Sequence, residues 1–267
     1  MKVTANGIGL RYVLEGPAAG PLVTLSHPLA AALELWDPQA AALVGAGYRV
    51  LRYDARGHGG SDAPAGPYTT PQMAEDVRAL WDALGVARSH FVGLSMGGIV
   101  GMELALRCPA RLGGLVLADT TSRYAPATAT MWQERIRAAE AAGMEAVVES
   151  TMAIWFTEAY RARETAAVDA VRGMFRKMIP AAYVAAVRAI ADVDLTDAIG
   201  AIGRPTLVLV GERDPGTPPA MARVLHERIP GARLVVLPGA MHGSSLEAAA
   251  AFNAAVLAFL AEPACAS

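Results

Sequence analysis

The chain has 267 residues, enough for one large domain or for a core that carries an insertion. Its 23 Lys and Arg nearly balance 25 Asp and Glu, for a net charge of −2, so there is no basic field to gather nucleic acid. No apolar stretch is long enough to cross a bilayer, and Met1-Lys2-Val3-Thr4 lacks the pattern of a secretory signal, so a cytoplasmic protein with no membrane partner is expected.

Short apolar or β-branched runs at 8–14, 22–25, 49–53, 90–92, 114–117, 206–210 and 233–237 read as strands. Their consecutive apolar positions fit strands covered on both faces. Helical patterns separate them, which predicts an α/β fold with a mostly parallel central sheet flanked by helices. Asp37-Pro38 and Thr70-Pro71 each pair a capping residue with a proline in the first helical turn. In the second of these helices Met73, Val77, Leu80, Trp81 and Leu84 share one face and are assigned to the core, Trp81 included.

The alternation stops after Asp119 and resumes near Pro205. The stretch between has no strand pattern, and its large side chains, among them Trp132, Met152, Trp155 and Phe175, fall on several helices. The expected division is a core of residues 1–119 and 193–267 with a helical cap at 120–192, set over the carboxyl ends of the strands, where open α/β sheets bind ligands. A buried last helix is expected over 248–260, with a loose tail beyond it. Cys108 sits at a helix end and Cys265 in that tail, which argues against a disulfide and against a cysteine nucleophile.

Gly93-Leu94-Ser95-Met96-Gly97 lies between an apolar run and a helical stretch. A serine at the apex of such a strand-to-helix turn is exposed and ready to attack, and small neighbours relieve the crowding there. A hydroxyl becomes a good nucleophile when an imidazole takes its proton and a carboxylate orients that imidazole. The residue order supplies both: Asp214 follows the run at 206–210, and His242 follows the run at 233–237. Ser95 is therefore the expected nucleophile, His242 the general base and acid, and Asp214 the orienting carboxylate. Asp119 also follows a strand-like run and is the alternative acid.

Ser26-His27-Pro28-Leu29 follows another strand, where half of an oxyanion hole is expected. Pro28 has no N–H, so the donors are assigned to the amides of Leu29 and Met96. His27 is a candidate second base or substrate contact, and the preferred reading has it holding the oxyanion loop in shape. The loop from Asp54 to Ser61 is dense in charge and glycine but lacks a P-loop's lysine-serine pair, and reads as a structural loop braced by Asp54, Arg56 and His58. No His, Cys and carboxylate cluster has metal-ligand spacing, so no metal is expected.

With Gly93-Leu94-Ser95-Met96-Gly97-Gly98, Asp54-Ala55-Arg56-Gly57-His58-Gly59-Gly60-Ser61, the Asp214 loop and His242 in order, the sequence resembles the α/β-hydrolase fold family over nearly its whole length. Within that family it is most similar to the 3-oxoadipate enol-lactonases, on the segments Leu33-Glu34-Leu35-Trp36-Asp37-Pro38-Gln39, Gly66-Pro67-Tyr68-Thr69 and Trp155-Phe156-Thr157 together with the motifs above. The resemblance implies hydrolysis of a lactone or small ester through an acyl-enzyme, without a cofactor. One stretch departs from it: the lactonases tend to carry Asn-Ser-Leu-Gly where this chain has His27-Pro28-Leu29-Ala30.

A carboxylate-bearing substrate would need a cation in the pocket, for which Arg123 and Arg135 are the candidates, with Trp132 and Trp155 as apolar lining. Carbon–carbon bond hydrolysis, acyl-homoserine lactone hydrolysis and cofactor-free perhydrolysis can use the same triad and stay open. Epoxide hydrolysis and dehalogenation are disfavoured, because a carboxylate normally stands where Ser95 does. A binding module that has lost catalysis is the non-enzymatic alternative. Acyl group, ring size and oligomeric state, a homo-oligomer included, are left undetermined.

Overall fold

The computed structural model describes residues 1–266. Among them one sheet contains β1 (Lys2–Ala5), β2 (Ile8–Glu15), β3 (Leu22–Ser26), β4 (Arg49–Tyr53), β5 (Ser89–Leu94), β6 (Leu112–Ala118), β7 (Thr206–Gly211) and β8 (Arg233–Leu237), in the order β1-β2-β4-β3-β5-β6-β7-β8. The two pairings that involve β2 are antiparallel and all others are parallel. Every residue of β5, β6 and β7 is buried, as expected of central strands covered on both faces.

The helices are α1 (Asp37–Gly45), α2 (Thr70–Ala83), α3 (Met96–Arg107), α4 (Ala129–Ala142), α5 (Glu145–Trp155), α6 (Glu158–Arg163), α7 (Thr165–Lys177), α8 (Pro180–Ala191), α9 (Pro219–Arg228), α10 (Ser244–Glu247), α11 (Ala249–Leu260) and α12 (Pro263–Ala266). α2 packs beside α3, and α1 beside α11. Trp81 is fully buried, with its indole N–H donated to Thr24 Oγ1 at 2.9 Å. Helices α4 to α8 all fall between β6 and β7, where the strand pattern is interrupted.

Four features differ from the sequence reading. β1 leaves no apolar run in the sequence; its signal is the Asn6-Gly7 dipeptide, whose two positive φ values (48° and 77°) form a two-residue hairpin turn joining Ala5 to Ile8. The cap of α2 is Thr69, whose hydroxyl accepts Gln72 N–H at 3.2 Å, while Thr70 is already helical and donates to Glu103 at 2.8 Å. Asp37 caps nothing, because a 3-10 turn at Leu33–Trp36 runs straight into α1 and the Asp37 carboxylate pairs with Arg52. The tail is not loose where it is described: α12 places Cys265 in the core, with its sulfur beside Gly114.

Parallel pairing of β3, β5, β6, β7 and β8 puts their carboxyl ends at one edge of the sheet. The segments leaving that edge carry His27 to Leu29, Ser95, Asp119, Asp214 and His242.

Candidate active site

Ser95 lies between the end of β5 and the start of α3 with φ 54° and ψ −114°, a left-handed backbone costing about 1–3 kcal/mol for a non-glycine residue. The end of β6 and the segment after it hold it there: its N–H donates to Ala118 O at 2.9 Å, and its carbonyl accepts the Thr120 hydroxyl at 2.7 Å. The flanking glycines are required by close backbone approach. A Cβ on Gly93 would sit 2.2 Å from Gly97 O, and one on Gly97 would sit 2.1 Å from Ser26 O. Neither carbonyl belongs to a flexible side chain that could step aside.

His242 follows β8, and its Nδ1 lies 2.8 Å from Asp214 Oδ2. The Asp214 carboxylate also accepts Gly216 N–H (2.7 Å), Thr217 N–H (3.0 Å) and the Thr217 hydroxyl (2.7 Å). With Nδ1–H committed to the carboxylate, Nε2 is the imidazole nitrogen left to accept a proton. Burial opposes charge on Asp214, but the imidazole and these donors outweigh it and hold the carboxyl below the usual range. Burial likewise opposes charge on His242, and the charge and hydrogen bond of Asp214 overcome it, raising the imidazole above its ordinary value.

Asp119 is fully buried and points elsewhere. Its Oδ1 accepts Gly211 N–H at 2.8 Å and its Oδ2 accepts the Ser244 hydroxyl, while burial and the nearby Asp214 push its carboxyl up to about 8. The structure brings Asp214, and not Asp119, to the imidazole.

Leu29 and Ser95 share the wall of one cleft with His242, and Met96 opens α3, where a first-turn N–H has no intrahelical acceptor. His27 is not in that wall. Its ring is fully buried, Nδ1–H donates to Pro28 O at 2.8 Å and Nε2 accepts Ala55 N–H at 3.0 Å, so both nitrogens are used in holding the loop. Burial lowers its basicity further, and the geometry removes His27 as a substrate contact. Asp54 continues the brace by accepting Leu33 N–H at 2.7 Å and Gly60 N–H at 2.8 Å, and Arg56 forms a buried two-pronged pair with Asp76. His58 donates Nδ1–H to Arg56 O, and burial pushes its imidazole down to about 3. Ala30, just past Leu29, has φ 61°, a conformation that favours glycine.

The cap supplies the opposite wall, with Trp132, Trp155, Ile154 and Phe175 as apolar lining. Arg135 lies in this wall and donates to Tyr183 Oη at 3.0 Å and Thr151 Oγ1 at 2.5 Å; among the described residues no carboxylate forms an ion pair with it. Trp132 Nε1 is buried without a hydrogen-bond partner among the described residues. Arg123 is elsewhere, with its side chain 57% exposed and paired with Asp194 at 3.5 Å, and so it is not a pocket cation. Tyr124, which the sequence reading passed over, lines the cleft with its ring edge-on to Trp132 at 5.1 Å. No sequence signal separates it from its exposed neighbour. Among the described residues no group of three or more His, Cys, Asp and Glu side chains is arranged to hold a metal ion.

A profile describing the alpha/beta hydrolase fold matches residues 21–249. The chain belongs to the alpha/beta hydrolase fold family. Family members similar to it include 3-oxoadipate enol-lactonase 2 of Acinetobacter baylyi, 33% identical over 258 residues covering 97% of this chain and 95% of that protein. A Variovorax paradoxus protein named "Putative carbamate hydrolase RutD" is 36% identical, covering 94% of this chain and 96% of its own length. Among solved structures, the enol-lactonase from Burkholderia xenovorans LB400 superposes with a TM-score of 0.94 at 39% identity, covering 98% of this chain and all of that one. This alpha/beta hydrolase is thus similar to enol-lactonases both in sequence and in the path of its backbone, and the fold and the hydrolase class follow from that similarity.

Proposed function

We propose that this protein is a serine hydrolase that opens a lactone or small carboxylic ester bearing a carboxylate, by way of an acyl-enzyme. The observation that carries the reading is the 2.8 Å contact of His242 Nδ1 with a buried Asp214, which leaves Nε2 as the accepting nitrogen on a residue that shares its cleft with Ser95. Ser95 Oγ attacks the acyl carbon as His242 Nε2 takes its proton, and Asp214 stabilises the imidazolium. The amides of Leu29 and Met96 stabilise the tetrahedral oxyanion, each donor being worth about 3 kcal/mol. His242 then protonates the leaving oxygen, and in a lactone that oxygen stays on the same molecule as the acyl group. Water activated by His242 releases the product acid and restores Ser95.

Arg135 supports a carboxylate on the substrate, because it is a cation in a mostly apolar wall with no acidic partner among the described residues, and the indole N–H of Trp132 lies in the same wall. The family resemblance supports a lactone, since relatives named as enol-lactonases cover nearly the whole chain. The His27-Pro28-Leu29-Ala30 stretch leaves the exact ring to experiment.

Labelling with a serine-directed fluorophosphonate tests the nucleophile. The expected result is stoichiometric modification of the protein and none of Ser95→Ala; an unlabelled native protein would support a binding module instead. A panel of γ-, δ- and enol-lactones and p-nitrophenyl esters, ranked by kcat/KM with and without a carboxylate, tests the substrate class.

A further inference from the structure

The loop that carries His242 is tied to the cap at two points, and neither tie involves Asp214. The Glu247 carboxylate, at the end of α10, spans the first. Its Oε2 accepts Met241 N–H at 2.7 Å, one residue before the imidazole. Its Oε1 accepts both the N–H and the hydroxyl of Thr157, at 2.9 and 2.6 Å, at the start of α6. The second tie lies on the other side of the imidazole, where Gly243 N–H donates to Trp155 O at 2.8 Å. The contact there is tight: a Cβ on Gly243 would sit 2.5 Å from the Phe156 ring and 3.0 Å from Trp155 O. The cap corner Trp155-Phe156-Thr157 therefore clasps the backbone on both sides of His242.

The same corner forms part of the cleft. Trp155 lines it, with its ring centroid 6.0 Å from that of His242 and 5.4 Å from that of Phe175 on α7. A substrate pressing on Trp155 thus presses on a segment bonded to Met241 and Gly243. We propose that Glu247 is a positioning residue that makes the Trp155–Thr157 corner and the His242 loop one body, so that filling the cap wall sets the alignment of the imidazole with Ser95. This rests on the reading of Ser95 and His242 as nucleophile and base. It adds that the cap contributes to the chemical step as well as to affinity, through a carboxylate that touches neither substrate nor triad. A displacement of about 1 Å at a catalytic group can cost on the order of a hundredfold in rate, so loss of such a tie has a measurable consequence.

The test compares Glu247→Ala, Glu247→Gln and Thr157→Val with the native protein on two esters, p-nitrophenyl acetate and a p-nitrophenyl ester whose acyl chain is long enough to reach Trp155. Folding is followed by circular dichroism, and the competent fraction by titration with a fluorophosphonate. In the native protein the longer ester is expected to have the higher kcat. In Glu247→Ala that advantage falls at least about fivefold, mostly in kcat, with Thr157→Val intermediate and Glu247→Gln, which keeps one acceptor oxygen, losing less than alanine. Equal losses on both esters, or losses accounted for by a smaller titratable fraction, would overturn the proposal and leave Glu247 a stabilising residue only. His242→Ala separates this from the underlying reading: if that variant retains turnover the triad itself fails, whereas an inactive His242→Ala beside a native-like Glu247→Ala refutes the clasp alone.

Discussion

The corner around Ser95 and the cap wall opposite it are held by different forces. At the corner the backbone decides: Ser95 has a left-handed φ, Gly93 and Gly97 leave no room for a Cβ, and the Asp214 carboxylate is fixed by four hydrogen bonds. In the wall, Trp132 meets Tyr124 and Trp155 meets Phe175 edge to face, and one arginine is held by two hydroxyls. Backbone constraints fix atoms to fractions of an ångström, whereas apolar packing tolerates exchange of shape at modest cost. A family can therefore keep one chemistry while its substrates vary, because the parts that set the substrate are the more easily repacked ones.

The sharpest way to break this contrast is to enlarge one small residue at the corner and one in the cap. Gly97→Ala forces a Cβ against a backbone carbonyl and is expected to abolish soluble, folded protein or to cost several kcal/mol, read from chemical denaturation. Ala139→Val, in the buried face of α4, should cost no more than about 1–3 kcal/mol by the same measurement.

Next in size is the choice of acid. Asp214→Asn should lower kcat by about a thousandfold to ten-thousandfold, while Asp119→Asn lowers it less than about tenfold, because only Asp214 meets the imidazole. The pH profile sharpens the point. As the proposed base, His242 works only when neutral, and Asp214 raises its basicity, so the acid limb of kcat/KM should lie above the ordinary imidazole range in the native protein. Residual activity of Asp214→Asn should show that limb at lower pH.

The wall makes a smaller, selective prediction. Arg135→Met should reduce kcat/KM by about 10–100-fold for a carboxylate-bearing lactone and by less than about threefold for a neutral ester, while Arg123→Gln changes neither. A separate prediction concerns stability and comes from histidines outside both regions. His58 and His90 are held neutral by burial, with imidazoles near 3 and 4, whereas the unfolded chain protonates near 6.5. Between those values the unfolded state binds the extra protons, so their contribution is intact above about pH 6.5 and is lost as pH falls, by up to about 1.4 kcal/mol per pH unit for each. Denaturation midpoints measured from pH 7 to pH 5 check the sign.

Seven of the strands could be read from apolar runs, and the residue order Ser95, Asp214, His242 could be read from the loops that follow them. Those signals are local: a strand leaves a continuous apolar run, and a nucleophile turn leaves glycines at fixed offsets. Partnerships across long sequence separations were not legible. Nothing in the sequence says that Arg123 turns to Asp194 and Arg135 into the cleft, twelve residues further along the chain, or that Asp119 spends its oxygens on Gly211 and Ser244. The contact of Glu247 with the cap was equally hidden, because Thr157 lies 90 residues away along the chain.

By itself the sequence determined the α/β architecture and the interruption between β6 and β7, and it singled out Ser95, Asp214 and His242 as candidates for acyl transfer, because periodicity and turn chemistry act over a few residues. Tertiary structure alone decided which carboxylate faces the imidazole, which arginine enters the cleft and how the cap grips the His242 loop. Those outcomes depend on the directions in which side chains leave elements packed from distant parts of the chain, and spacing along one chain carries no record of them.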